Sequence, residues 1–155
     1  MKLRKALIKD VQEIRTLITD ALLKINSKDY SKEQIEIWEK ADTEEKITER
    51  IKDKNRISCV VVDENRILGY GSVKGSEITA IYVSPERTRT GVGSKILSFL
   101  EKEALKMGIK ALKLDSSITA FNFYLKHGYK KVKDSYHVSD IGKIPCVEMD
   151  KVIKE

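Results

Sequence analysis

The residues best arranged for chemistry lie between Ile81 and Ser94, in the run Ile-Tyr-Val-Ser-Pro-Glu-Arg-Thr-Arg-Thr-Gly-Val-Gly-Ser. An apolar, β-branched stretch ends at Pro85, which lacks the N–H a strand ladder needs. A basic loop with Arg87 and Arg89 follows, and Gly91 and Gly93 lead into a helical pattern. Glycines at such a junction remove the side chains that would hold an anion off the backbone. The unpaired N–H groups and positive dipole end of the new helix then attract phosphate, with the two arginines adding charge. The same letters also describe a strand-to-helix turn without a ligand, and Gly-x-Gly alone does not separate the two readings. Two other phosphate cradles are excluded. A P-loop needs GxxxxGK[ST], and the dinucleotide fingerprint needs a third glycine where Ser94, Lys95 and Ile96 stand.

Metal and thiol chemistry is poorly provided for. Cys59, Cys146, His127 and His137 are the only cysteines and histidines, and they form neither a CxxC pair nor an HExxH run. A zinc site is therefore not expected, and a reducing compartment is. Both cysteines read as small buried hydrophobes, and His127, just before Gly128, suits the negative end of a helix.

These groups sit in 155 residues with 41% hydrophobic, 35% charged and 6% aromatic side chains, enough chain for one domain spanning 1–155 without disulfides. Thirty Lys and Arg against 24 Asp and Glu give a net charge of +6. That excess suits an anionic partner, whether nucleic acid, membrane surface or phosphorylated cofactor. No basic groove interleaved with stacking residues is legible, so a nucleic-acid partner is not expected. Charges interrupt every apolar run before the roughly 18 residues of a membrane span, and no signal peptide is seen. A cytoplasmic location without membrane contact is the expectation.

Hydrophobic periodicity sets the elements that must position the loop. A short strand, Lys2 to Ala6, precedes a helix from about Asp10, its expected N-cap, to Leu23, with Val11, Ile14, Leu17, Ile18, Ala21 and Leu22 at helical spacing. Ser31 and Gln34 are spaced as a capping box for a second helix carrying Ile35 and Trp38, and Thr43 to Ile51 predicts a third. Ser58 to Asp63 and Ile67 to Val73 read as a hairpin about Glu64-Asn65, and Glu77 to Val83 as the next strand. A helix from Gly93 to Met107, a strand from Ala111 to Asp115 and a helix from about Thr119 to Lys126 follow. Strands at about Tyr129 to Val138 and Val147 to Val152 end the chain. The class is α/β, with a β-α-β crossover requiring one parallel pair in a mixed sheet.

The stretch Val83-x-Pro85 followed by Thr88-x-x-Gly91-x-Gly93 resembles the acetyl-CoA signature of the GNAT acetyltransferase superfamily, with Thr88 where Gln or Arg is usual. A second segment, Ser117 to Tyr129, with Ala120, Phe123-Tyr124 and Gly128-Tyr129, looks like the family's later motif. Two motifs in order across one β-α-β-α unit are far more specific than either alone. Tyr30-Ser31, Gln34-Ile35 and Trp38, with Asp115 to Ala120, look like the YafP-like branch.

The resemblance implies a mostly antiparallel mixed sheet with two splayed parallel strands and helices on both faces. It also implies an N-acetyltransferase that moves the acetyl group of acetyl-CoA directly to an amine acceptor, with no metal. Backbone groups of Ile81, Tyr82 and Val83 would pair with the pantetheine arm. Those of Arg89, Thr90, Gly91, Val92, Gly93 and Ser94 would hold the pyrophosphate. Asn122 is a further cofactor contact or simply an exposed helix position. Tyr124 is the implied acid for the leaving thiolate, unless it is only a core aromatic beside Phe121 and Phe123. Glu77, which on strict alternation shares a face with Thr79, Ile81 and Val83, is the candidate base. Its alternatives are a solvent-facing residue or a water held by Asp115 or Ser117. Tyr30 and Trp38 would line the acceptor pocket or belong to the core. A non-catalytic acyl-CoA-binding module is the rival on the same fold. Acceptor identity and oligomeric state, a homodimer included, stay open.

Overall fold

A computed structural model of the chain describes residues 1–139 and 141–154. In chain order the elements are β1 (Lys2–Lys5), α1 (Val11–Lys24), α2 (Lys32–Ala41), α3 (Glu44–Lys52), β2 (Arg56–Asp63), β3 (Arg66–Lys74) and β4 (Glu77–Val83). They continue with α4 (Val92–Lys106), β5 (Ala111–Ser116), α5 (Phe121–Lys126), β6 (Lys130–Ser139) and β7 (Gly142–Val152). The strands form one seven-stranded sheet in the order β1-β2-β3-β4-β5-β7-β6. Neighbours are antiparallel except β4 and β5, whose parallel pairing requires the α4 crossover.

The sheet is covered on both faces. On one, α4 and α5 bury Val92, Ile96, Leu97, Leu100 and Tyr124 against Cys59, Val61, Val73 and Ile78. On the other, α1, α2 and α3 bury Ile14, Ile18, Ile35 and Ile47 against Val60, Ile67 and Tyr70. Gly69 lets α4 lie on β3, because a Cβ there would come within 2.6 Å of Val92 and 2.8 Å of Ile96. That close approach sets the start of α4 beside the end of β4.

Local chemistry explains most boundaries. Ser31 accepts from Gln34 N–H at 3.1 Å while Gln34 accepts from Ser31 N–H at 2.9 Å, the capping box read from the sequence. Thr43 caps α3 by accepting from Lys46 N–H at 3.2 Å. Asp10 precedes α1 but does not cap it. Its carboxylate turns back to Leu7 N–H at 2.8 Å and takes two bonds from Arg4, at 2.8 and 2.9 Å.

The last strand departs from expectation, beginning at Gly142 rather than Val147. Pro145 lies inside it, opposite Tyr136 of β6. Pairing with β5 ends at Val147, so the side of Pro145 away from β6 has no strand to serve. Its carbonyl instead accepts from the Tyr30 hydroxyl.

Candidate active site

The pairing of β4 with β5 stops after two residues, Glu77 with Lys113 and Ile78 with Leu114. Beyond them the strands part, and a cavity of about 540 Å³ runs through the sheet at the gap. Thr88, Gly93 and Phe123 line it, as do Asp42, Arg50, Arg56 and Tyr70, together with Glu77, Ile81, Val83, Asp115 and Tyr124.

Strict alternation fails in β4. Ser72 of β3 pairs with Ala80 but Val73 pairs with Ile78, so Thr79 is the extra residue of a bulge. Ile78 therefore faces α4 together with Ile81 and Val83, whereas Ala80 and Tyr82 face α1 to α3. Glu77 precedes Ile78 and sits in one cross-strand row with Lys74 and Arg56. It lies on the α1–α3 face, opposite to Ile81 and Val83 and not beside them.

The gap-facing backbone follows from the same register. Ser84 N–H donates to Leu68 carbonyl at 2.8 Å, so Ser84, Tyr82 and Ala80 turn their polar groups to β3. Those of Ile81 and Val83 point into the gap. This corrects the grouping of Tyr82 with them as a backbone contact. The Tyr82 side chain lines the cavity from the opposite face, where its hydroxyl accepts from Trp38 Nε1 at 3.0 Å.

At the far end of β4, the turn Pro85–Arg87 leads through Arg89 and Gly91, both at positive φ (63° and 90°), into α4. A side chain at Gly91 would be strained, although nothing lies within 4 Å of where its Cβ would stand. No side chain caps α4 and its first turn holds no acidic residue. The N–H groups of Val92, Gly93 and Ser94 thus keep the free donors of an uncapped helix start. Gly93 is small for packing as well, since a Cβ would lie 3.2 Å from the Phe123 ring.

Several side chains read as site residues are engaged elsewhere. The Arg87 guanidinium stands 3.9 Å from Asp63, and the Thr90 hydroxyl donates to Arg87 carbonyl. The Ser94 hydroxyl meets His127 Nε2 at 3.0 Å, while His127 Nδ1 donates to Phe123 carbonyl at 2.9 Å. Arg89 is exposed beside the helix start. Asn122 is also exposed, on a side of α5 that does not line the cavity.

Tyr124 is 6% exposed, in edge-to-face contact with Phe123 and Tyr129. Among the described residues its hydroxyl has no hydrogen-bond partner, and the side chain lines the cavity. Burial pushes its pKa far above the ordinary phenol value, so it holds its proton across neutral pH. Burial also pushes the thiol of Cys146, a cavity-lining residue, up to about 11. A thiol so raised is a poor nucleophile at neutral pH.

Tyr30 and Trp38 stand edge to face, 5.2 Å between ring centres. The Tyr30 hydroxyl donates to Pro145 carbonyl at 2.7 Å and accepts from Ile118 N–H at 2.8 Å. Both hydrogen bonds of the hydroxyl go to the backbone of other segments. The ring still forms part of the wall.

The sequence reading missed Asp42, Arg50, Arg56, Tyr70, Ser72 and Thr79. Arg50 and Asp42 form an ion pair at 2.6 Å. A signal for Arg56 was present, because it alternates with Ser58, Val60 and Val62 on one face of an otherwise apolar strand.

A sheet opened between parallel strands, with a helix start at the mouth of the gap, defines an acyl-CoA-dependent acyltransferase architecture. The comparisons with known proteins agree. Residues 26–152 match the family model described as an acetyltransferase (GNAT) domain. The chain is 30% identical over 124 residues to the uncharacterized N-acetyltransferase YafP of Escherichia coli K12, covering 80% of this chain and 77% of that protein. A GCN5-related N-acetyltransferase structure from Rhodopseudomonas palustris superimposes with a TM-score of 0.92 at 27% identity, covering 97% of this chain and 94% of that one. The PaiA N-acetyltransferase of Thermoplasma acidophilum, solved in complex with coenzyme A, has a TM-score of 0.81 at 23% identity and covers 97% and 98% of the two chains. The chain belongs to the GNAT acetyltransferase family, and its activity is that of an acetyl-CoA-dependent acyltransferase. Among the described residues no three His, Cys, Asp or Glu side chains cluster as a metal site would, and no helix is long and apolar enough to cross a membrane.

Proposed function

We propose that this protein transfers the acetyl group of acetyl-CoA directly to a primary amine of a small molecule or peptide, in the cytoplasm. The observation that carries this reading is the cavity through the sheet. It is lined by Gly93 at the uncapped start of α4, by Glu77 and by Tyr124, whose hydroxyl has no partner among the described residues. The residues fit the cosubstrate. The N–H groups of Val92, Gly93 and Ser94, with Arg89, hold the pyrophosphate, and the gap-facing backbone of Ile81 and Val83 pairs with the pantetheine amides.

An alkylamine with a pKa near 10.4 is mostly protonated at pH 7, so the site removes a proton before attack. Glu77 takes it, directly or through a water near Asp115 or Ser117. The amine nitrogen then bonds to the thioester carbon as the carbon–sulfur bond breaks, Tyr124 donates its proton to the leaving thiolate, and the second proton shed by the new amide nitrogen returns to the Tyr124 phenolate. A free thiol titrates near 8.5, below the buried phenol, but the burial that raises Tyr124 also raises the thiolate's affinity for a proton. Free thiols at Cys59 and Cys146 support the cytoplasmic reading.

The test is Tyr124→Phe, which removes one oxygen and keeps the ring packing. Thiol release across an amine panel should fall by about 100-fold or more in kcat, the scale of a general acid. The acetyl-CoA dissociation constant should stay within a factor of about two. Unchanged turnover would remove Tyr124 as the acid.

A further inference from the structure

The floor of the cavity on the α1–α3 face is rich in donors. Arg56 Nη1 donates to Thr79 Oγ1 at 2.8 Å, and Thr79 in turn shares a hydrogen bond with Ser72 Oγ. Arg56 Nε is buried and has no hydrogen-bond partner among the described residues. Its carboxylate neighbour, Asp53, stands 4.0 Å away and is already paired with Lys74 at 2.8 Å. Tyr70 is 1% exposed, lines the cavity, and its hydroxyl has no partner. The Ser58 and Ser72 hydroxyls lie next to it without completing a bond of acceptable geometry. A guanidinium offers only donors, and the neighbouring hydroxyls have protons to give. Leaving such groups buried and unpaired costs free energy that a bound acceptor-only group would recover.

We propose that the acceptor carries a carboxylate as well as its amine, and that Arg56 and Tyr70 bind that carboxylate. This rests on the reading of the Glu77 side of the sheet as the acceptor side. An ionised carboxylate accepts on both oxygens and matches the guanidinium edge and phenol. A polyamine brings only donors and positive charge, and would set an ammonium against Arg56. The register supplies the spacing. Arg56, Lys74 and Glu77 form one cross-strand row, so the first and last are two strands, or about 10 Å, apart at their α-carbons. Side chains converging from that distance leave room for a molecule of amino-acid size, with its amine at Glu77 and its carboxylate at Arg56.

The experiment compares L-amino acids and short peptides with their amide and decarboxylated counterparts and with spermidine, reading both kcat/KM and binding to the CoA-loaded protein by calorimetry. Carboxylate-bearing acceptors should exceed their counterparts by on the order of tenfold to a hundredfold, as a charged hydrogen bond gives. The free amino acid and peptide arms identify which source of carboxylate fits. Arg56→Gln should bring that ratio close to one without altering acetyl-CoA affinity, Arg56→Lys should restore part of it, and Tyr70→Phe should lower it part way. If Arg56→Gln does not fold, Tyr70→Phe carries the test. Equal or better use of spermidine or the decarboxylated amines overturns the proposal, as does an equal loss for acids and amines in Arg56→Gln. Absence of carboxylate binding to a chain that binds CoA overturns it too. Acids that bind selectively but are never acetylated would instead refute the transfer mechanism and leave this subsite standing.

Discussion

Tyr30→Phe separates a wall-building tyrosine from one that touches substrate. The hydroxyl ties together two segments far along the chain, Pro145 in β7 and Ile118 in the loop after β5, at 2.7 and 2.8 Å, from a side chain 6% exposed. Removing it leaves one carbonyl and one N–H, both in part-buried hydrogen bonds, unpaired, at about 1–3 kcal/mol each. Because the site borders a cavity that water can enter, the lower half of the summed range applies, roughly 2–4 kcal/mol. For a domain of this size that corresponds to a fall in Tm of roughly 4–16 °C. The ring contact with Trp38 survives in the variant, so Trp38 fluorescence in a urea titration reports the loss. The acceptor KM should rise less than the stability change suggests, since no bond from Tyr30 to substrate is lost. A variant with wild-type stability and a greatly raised acceptor KM would refute the reasoning and return the hydroxyl to the substrate.

Two further perturbations test the cofactor end and the periphery. In Gly93→Ala the gain of about 1 kcal/mol in helix propensity opposes a Cβ 3.2 and 3.3 Å from the Phe123 ring. Global stability should therefore stay within about 1 kcal/mol of wild type while acetyl-CoA affinity, measured by calorimetry, falls several-fold as α5 shifts. Unchanged affinity would mean the contact does not shape the site. Asp10→Asn should cost about 2 kcal/mol in denaturant unfolding, the scale of lost charge-assisted bonds. The hydrogen bond from Arg4 holds the Asp10 carboxyl below its ordinary value, against the opposing effect of burial. Its contribution is complete above the unfolded value near 3.9 and is lost as the pH falls through the lower folded value. The difference between wild type and variant should accordingly shrink below about pH 4; a difference independent of pH would exclude the ion pair as its source.

Much of the architecture was legible because it is written locally. The capping box at Ser31 and Gln34, the hairpin at Glu64-Asn65 and the helix opened by Gly91 depend on a few adjacent residues and their backbone preferences. The early start of β7 was not, because whether Pro145 can sit in a strand depends on where β5 ends. Asp10 was misread for a similar reason, since its carboxylate had a better offer from Arg4 on another element than from its own helix. The Glu77 face was misjudged because alternation holds only in an unbroken strand, and the bulge at Thr79 reverses it.

By itself, the sequence determined the order of elements, the glycine-led helix start and the motifs that mark an acetyltransferase, since each rests on short-range sterics and hydrogen bonding. The tertiary structure alone decided which groups meet across the sheet. It aimed Ile81 and Val83 into the gap, gave the Tyr30 hydroxyl to Pro145 and Ile118, and gathered Arg56, Tyr70 and Thr79 on one floor with Glu77. Those pairings follow from strand register and the packing of helices on both faces, which couple residues far apart in the chain and leave no mark in any one segment.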